Sequence, residues 1–179
     1  MQTEIIISGF GGQGTLYAGQ LLSYAAMDEG KQVTWIPSYG PEMRGGTANC
    51  TVVISDQEIG SPTVKFPKAV LAMNLPSLDK YEALVAQGGC LVINESMVNH
   101  GPKRTDIHTI TVPANAIAME VGNERATNMV MLGALLANME ILPEGALIRA
   151  LRAHTAQRLQ KFVEINIQAL ARGSAFKAS

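Results

Sequence analysis

Cysteine and histidine are scarce in this chain of 179 residues, and neither has the spacing of metal ligands. The two cysteines, Cys50 and Cys90, each lie alone in an apolar, strand-like segment. An iron–sulfur cluster is typically held by about four cysteines, so this chain cannot ligate one by itself. We expect both thiols to be reduced core residues. The three histidines, His100, His108 and His154, are scattered, and we expect each to be a surface or locally hydrogen-bonded residue.

Charged residues are also few. The chain has 14 Lys and Arg against 15 Asp and Glu, which gives a net charge of −1. This balance excludes the basic surface that attracts nucleic acid or an anionic membrane. No apolar run approaches the roughly 20 residues of a membrane-spanning helix. Residues 1–4 lack the basic start and apolar stretch of a signal peptide. We therefore expect a cytoplasmic protein.

Short apolar segments alternate with helical ones along the chain. The predicted strands cover residues 5–7, 32–36, 48–55, 69–73, 90–94 and 108–112, and the predicted helices cover 15–29, 77–86, 114–120, 126–138, 143–153 and 155–171. This order predicts an α/β fold: a three-layer, Rossmann-like domain with a mixed, mostly parallel sheet and a helical C-terminal third. The length suits one domain over residues 1–172, followed by a frayed tail at 173–179.

A glycine-rich turn follows the first strand. Its candidate binding residues are Gly9, Gly11, Gly12, Gln13 and Gly14. The spacing fits the Gly-x-Gly-x-x-Gly fingerprint of dinucleotide-binding folds, in which backbone N–H groups at a helix N-terminus hold an anion. The acidic residue that should follow about 20 positions later, to bind the ribose, is missing. We interpret the turn as an anion cradle rather than an NAD site; the alternative is a turn needed only for tight strand–helix packing.

A second polar, glycine-rich loop follows the second strand, over residues 37–47. Its candidate binding residues are Tyr39, Gly40, Arg44, Gly45 and Gly46. Loops at the carboxyl ends of neighbouring strands face one crevice in an open α/β sheet. The planar guanidinium of Arg44 could bind a carboxylate, a phosphate or a partner protein in bidentate fashion. The alternative is a solvated or structurally paired arginine.

Two asparagines near the start of the helix at 126–138 complete the set of candidates. Asn123 precedes this helix and Asn128 lies in its first turn. Helix capping is the default explanation for both side chains. If the helix points at the same crevice as the glycine turn, both amides could also bind a ligand or a partner chain.

Three segments together make the chain recognisable. They are Gly-Phe-Gly-Gly-Gln-Gly at 9–14 followed by Ala18, Tyr-Gly-Pro-Glu-x-Arg-Gly-Gly at 39–46, and Glu-Val-Gly-Asn at 120–123 with the apolar run at 128–135. In this order and spacing, the chain resembles the gamma subunit of 2-oxoacid:ferredoxin oxidoreductases. The resemblance extends from about residue 3 to residue 170.

The resemblance implies a specific activity for the complete enzyme. Such enzymes convert a 2-oxoacid and coenzyme A into acyl-CoA and CO2 and pass electrons to ferredoxin, with 2-oxoglutarate or pyruvate as the expected oxoacid. Thiamine diphosphate is bound by the alpha and beta subunits, and iron–sulfur clusters lie in a ferredoxin-like subunit or domain. This chain would be accessory, with coenzyme A as its possible ligand.

The mechanistic hypothesis is that backbone N–H groups at 11–14 and the Arg44 loop hold the coenzyme A phosphates or shape the wall beside the thiamine site. No residue is assigned as a base or nucleophile; Glu42 and Glu120 are the only carboxylates in the three motifs. Two alternatives stay open: a structural docking subunit without a ligand, and a free-standing nucleotide-binding protein. An isolated gamma chain could also self-associate.

Overall fold

Six strands form one mixed sheet in the computed structural model, which describes residues 1–38, 47–143 and 145–178, with only the backbone of Thr47. The strands are β1 (Gln2–Phe10), β2 (Gln32–Ser38), β3 (Thr47–Ser55), β4 (Ala69–Ala72), β5 (Cys90–Asn94) and β6 (His108–Val112). Their order across the sheet is β2-β3-β1-β4-β5-β6. β1, β4, β5 and β6 are parallel neighbours, and β3 runs antiparallel to both β1 and β2.

Helices cover both faces of the sheet. They are α1 (Thr15–Asp28), α2 (Leu75–Tyr81), α3 (Ala114–Glu120), α4 (Thr127–Asn138), α5 (Ala146–His154) and α6 (Val163–Gly173). α1 and α4 pack on one face, with α5 and α6 packed against them, and α2 lies on the other. Because β4 and β5 are covered on both faces, every residue in them is apolar or buried, as is typical of parallel strands.

The predicted α/β fold with a mixed sheet is confirmed, and two differences concern element bounds. The helix predicted at 77–86 is α2 followed by a short 3-10 helix, Glu82–Leu84. α2 starts earlier because Asn74 caps it, its Oδ1 accepting from Ser77 N at 2.9 Å. The helix predicted at 155–171 begins as a 3-10 helix, Gln157–Phe162, and becomes α-helical only in α6.

The two strands that precede the glycine-rich loops, β1 and β2, are not adjacent in the sheet. β3 lies between them, because β2 and β3 pair as an antiparallel hairpin around the loop at 39–46. β1 and β2 are both antiparallel to β3, so their carboxyl ends still lie at the same edge of the sheet.

The end of the chain is attached to α4. Asn138 donates from Nδ2 to the carbonyl of Phe176 at 2.8 Å and accepts at Oδ1 from Ala178 N at 2.7 Å. Residues 174–178, expected to fray, therefore lie against the domain, whereas the single domain itself stays a prediction. No helix in the described ranges is long and apolar enough to cross a membrane.

Candidate functional site

The glycine motif spans the last residues of β1 and the turn into α1. Gly9 is buried inside β1, where it pairs with Ala48. Gly12 and Gly14 have φ angles of 95° and 74°, which side chains with a Cβ adopt only with strain. A Cβ on Gly14 would also lie 2.4 Å from Nδ2 of Asn128. Glycine is thus required by backbone geometry at 12 and 14, and Gly11 is exposed in the turn.

The N-terminus of α1 is uncapped. Gly14 occupies the N-cap position, no side chain accepts from the first N–H groups, and the first turn contains no acidic residue. Among the described residues, the N–H groups of Gly11 and Gly12 also have no hydrogen-bond partner. An uncapped helix of 14 residues leaves N–H donors and the positive end of its dipole available to an anion. This arrangement can hold a phosphate or a carboxylate.

The Gln13 side chain points back into the turn. Its Oε1 accepts from Phe10 N at 2.6 Å, and its Nε2 donates to the carbonyl of Met73 at 3.4 Å. The backbone N–H of Gln13 donates to the carbonyl of Phe10 at 3.2 Å and closes the turn. Both the oxygen and the nitrogen of the Gln13 carboxamide therefore form hydrogen bonds with nearby backbone groups.

A network of buried amides supports this turn, and sequence reasoning missed it. Asn94, at the end of β5, donates from Nδ2 to the carbonyl of Met73 at 3.2 Å and to Oδ1 of Asn115 at 3.0 Å. Asn74 and Asn94 have no exposed surface. The available signal was an asparagine at or just after the end of an apolar strand, the position where loops of an α/β sheet gather polar groups.

The glycine turn opens onto a cleft of about 340 Å³. The cleft is lined by Gly12, Gln13, Asn115, Met119, Glu124, Arg125 and Thr127. Arg125 is exposed, and no carboxylate among the described residues pairs with its guanidinium. Met119 is 70% exposed and adds apolar surface. The cleft thus combines backbone donors, the Arg125 cation, the Glu124 carboxylate and an apolar flank, and neither Arg125 nor Glu124 was among the sequence candidates.

The two candidate asparagines have different roles. Asn123 accepts at Oδ1 from Arg125 N at 3.2 Å and caps a 3-10 helix, Glu124–Ala126, so the capping interpretation is confirmed for it. Asn128 does not cap a helix; its Nδ2 donates to the carbonyl of Gly14 at 3.0 Å. The structure therefore brings Asn128 to the glycine turn. The interpretation of Asn128 as a binding residue required this placement.

The second candidate loop, with Tyr39, Gly40, Arg44, Gly45 and Gly46, lies outside the described residues. Its two ends are placed by the sheet. Ser38 pairs with Asn49, and Thr47 pairs with Phe10, the last residue of β1. The loop therefore leaves and re-enters the sheet at the edge that carries the glycine turn.

The two cysteines and His154, which the sequence analysis considered as possible metal ligands, are buried or paired within the protein. Cys50 and Cys90 are buried and free, and burial raises the pKa of the Cys50 thiol to about 11 and that of Cys90 to about 12. His154 hydrogen-bonds Asp28 at 2.8 Å and stacks on Tyr24. Among the residues with described positions, no group of three His, Cys, Asp or Glu could hold a metal ion.

Glu120, one of the two carboxylates in the motifs, pairs with Arg172. It lies outside the set of residues that line the cleft. Glu42, the other, belongs to the part of the chain that is not described. No general base is therefore assigned.

Known proteins match the chain over nearly its whole length. A family model described as pyruvate ferredoxin/flavodoxin oxidoreductase matches residues 4–176. Ketoisovalerate oxidoreductase subunit VorA of Methanothermobacter marburgensis is 40% identical over 174 residues, which are 97% of this chain but 36% of VorA. The chain thus spans about a third of that relative. The 2-oxoglutarate synthase subunit KorC of Methanocaldococcus jannaschii is 35% identical over 154 residues, which are 84% of this chain and 82% of KorC.

A solved structure has the same fold throughout. The gamma subunit of a keto/oxoacid ferredoxin oxidoreductase from Geobacter sulfurreducens superposes with a TM-score of 0.85 at 32% identity, covering 98% of this chain and 95% of that one. The family match and the structural match each extend over nearly the whole chain. The chain therefore belongs to the pyruvate ferredoxin/flavodoxin oxidoreductase family.

Proposed function

We propose that this chain is the gamma unit of a multi-subunit 2-oxoacid:ferredoxin oxidoreductase. The complete enzyme would convert a 2-oxoacid and coenzyme A into acyl-CoA and CO2 and transfer two electrons to ferredoxin. The names of the relatives support the reaction class, because they are subunits of ketoisovalerate oxidoreductase and 2-oxoglutarate synthase. The chain's length relative to KorC and to the Geobacter gamma subunit supports the assignment to the gamma unit.

The role of the chain in this enzyme is to bind coenzyme A. One observation carries this proposal: Gly12 and Gln13, in the turn that precedes the uncapped helix α1, line the same cleft as Arg125. Coenzyme A has phosphates at its nucleotide end, which match N–H donors and a guanidinium. Its uncharged arm could lie along Met119. The Arg44 loop, which starts and ends at this edge of the sheet, would add a second cation.

Thiamine diphosphate and the iron–sulfur clusters belong to partner subunits in this proposal. Thiamine diphosphate supplies the carbanion stabilisation that amino acid side chains lack. The chain has two cysteines, both buried, and these do not fit a cluster that needs about four accessible thiolates. We therefore assign these groups to alpha, beta and ferredoxin-like subunits. The cytoplasmic location stays a prediction.

The oxoacid is read by the partner subunits in this proposal. The coenzyme A phosphates would occupy the N–H donors and Arg125 of this cleft, which leaves the oxoacid to the subunits that bind thiamine diphosphate. 2-Oxoglutarate and pyruvate remain the expected substrates, and the name of VorA adds ketoisovalerate.

Purification from the native host tests the assembly. A tagged chain is isolated under anaerobic conditions, its partners are identified by mass spectrometry, and reduction of a low-potential dye is measured with each 2-oxoacid and coenzyme A. We expect thiamine-binding and iron–sulfur partners together with coenzyme A-dependent activity. Recovery of a lone chain that binds a nucleotide would instead support the free-standing alternative.

The Arg44→Ala variant of the assembled enzyme tests the ligand. We expect the KM for coenzyme A to rise while the subunit composition is unchanged. An unchanged KM and an unchanged assembly would remove Arg44 from the proposed site.

A further inference from the structure

Gln13 is the one residue with a side chain between Gly11 and Gly14, and this side chain forms hydrogen bonds within the protein. Its carboxamide bonds the backbone at the end of β1 and, across the sheet, the carbonyl of Met73 next to β4. A second amide, Asn74 Nδ2, approaches Gln13 Oε1 at 3.5 Å. The turn is thus connected by one side chain to two strands.

Gly9 provides the space for this side chain. A Cβ at position 9 would lie 2.6 Å from Gln13 Oε1 and 3.0 Å from the Cβ of Met73. Because Gly9 is buried and has an ordinary strand φ, backbone freedom does not explain glycine there. The packing of Gln13, Thr15 and Met73 against β1 does, since a Cβ at position 9 would also lie 2.9 Å from Cγ2 of Thr15.

The acceptor of Gln13 is itself held in place. The Met73 N–H donates to the carbonyl of Ser8 at 2.9 Å, and its carbonyl also accepts from Asn94. Asn94 is fully buried and bonds Asn115, which lines the cleft. The Met73 carbonyl is therefore held by Asn94 on one side and, through the Met73 N–H, by β1 on the other, while Oδ1 of Asn94 has no hydrogen-bond partner among the described residues.

We propose that Gln13 is a positioning residue: its carboxamide, bonded to Phe10 N and to the Met73 carbonyl, fixes the turn so that the N–H group of Gly12 faces the cleft, and its side chain lines the cleft without supplying a hydrogen bond to the ligand. This inference rests on the proposed function of the cleft as the coenzyme A site. Preorganised donors bind more tightly because the cost of ordering them is not part of the binding free energy.

The test uses the assembled enzyme with Gln13→Met, which keeps the side-chain size and removes both hydrogen bonds. Gln13→Asn is the second variant, since its amide is one methylene too short to reach both partners. Gln20→Met, further along α1, is the matched control, because among the residues that the structure describes the Gln20 amide bonds Tyr24 alone. We expect a rise in the KM for coenzyme A of about tenfold in both Gln13 variants, with kcat at saturating coenzyme A unchanged.

A purely structural role gives a different result. If the Gln13 variants lower kcat or the yield of complex while the KM for coenzyme A stays within twofold of the control, the inference is wrong. Gly12→Ala, which strains the turn at a φ of 95°, separates this from failure of the proposed function. A raised KM in Gly12→Ala with an unchanged KM in both Gln13 variants rejects the inference alone. An unchanged KM in all three rejects the coenzyme A site as well.

Discussion

Burial controls the chemistry of the two thiols. Because desolvation disfavours the thiolate, the pKa of Cys50 is raised to about 11 and that of Cys90 to about 12. Thiolate is the reactive form, so both groups are neutral and shielded at pH 8. We expect native protein to react with Ellman's reagent far more slowly than protein in concentrated guanidinium chloride, where the ordinary thiol pKa of about 8.5 applies.

The same pKa values set the sign of a pH effect on stability. A raised folded-state pKa favours the folded state below the ordinary pKa, and this contribution is lost as the pH rises from about 9 to about 11. The free energy of unfolding should therefore fall over this range. The fall should be smaller in a double variant that carries both Cys50→Ala and Cys90→Ala, when each protein is compared with its own value at pH 7. For the labelling experiment above, a rapid reaction of both thiols with Ellman's reagent in the native protein at pH 8 would contradict their burial.

The contact between α4 and α6 depends on two glycines. A Cβ on Gly133 would lie 2.0 Å from the carbonyl oxygen of Leu170, and one on Gly173 would lie 1.9 Å from that of Val130. Backbone atoms cannot yield as a flexible side chain can, so the helices must separate. We expect Gly133→Ala to lower the free energy of unfolding by about 3 kcal/mol or more, measured by denaturant titration. Gly60→Ala is the control, because Gly60 has open space around its Cα and an unexceptional φ.

A Gly133→Ala variant as stable as Gly60→Ala would show that α4 and α6 do not approach this closely. The sequence predicted both helices from their apolar periodicity but gave no reason for Gly133 within one of them. Periodicity reports which face of a helix is buried. The distance between two helix backbones depends on the residue opposite, which lies far along the chain.

The strand order illustrates the same limit for the sheet. Each strand was predicted from a local apolar run, and each is present. The pairing of β2 with β3 was not predicted, because an eight-residue glycine-rich loop lacks the two-residue signature of a tight hairpin. A crossover that places β2 beside β1 fits the same sequence.

At the scale of the whole molecule, one part of the candidate site could be predicted from the sequence and another part could not. The glycine turn between β1 and α1 was predicted because glycine spacing is a local pattern that follows a strand, whereas its anion-binding role stays a prediction. Asn94 was missed because it reaches the turn only through the order of β1, β4 and β5. Asn115 and Arg125 were missed because they reach the cleft only through the packing of α3 and of the 3-10 helix Glu124–Ala126 beside the turn. Nothing in the sequence near Arg125 distinguishes it from a solvated surface arginine.

Arg125 and Glu124 give opposite predictions for the complete enzyme. Both line the cleft, so Arg125→Gln removes a positive charge near a bound phosphate and Glu124→Gln removes a negative one. For exposed charges, each change should alter affinity by roughly three- to tenfold at low salt, and less at high salt. We expect the KM for coenzyme A to rise in the first variant and fall in the second, measured in the assembled enzyme.

The KM for the 2-oxoacid should stay constant in both variants, since that substrate is read by partner subunits in the proposed enzyme. Arg158→Gln is the matched control, because Arg158 is exposed in the 3-10 helix Gln157–Phe162 and lies outside the cleft. Equal shifts in both KM values would mean that Arg125 supports assembly rather than coenzyme A binding. A KM for coenzyme A that responds to Arg158 as it does to Arg125 would mean that the overall charge of the chain, and not the cleft beside the glycine turn, attracts the ligand.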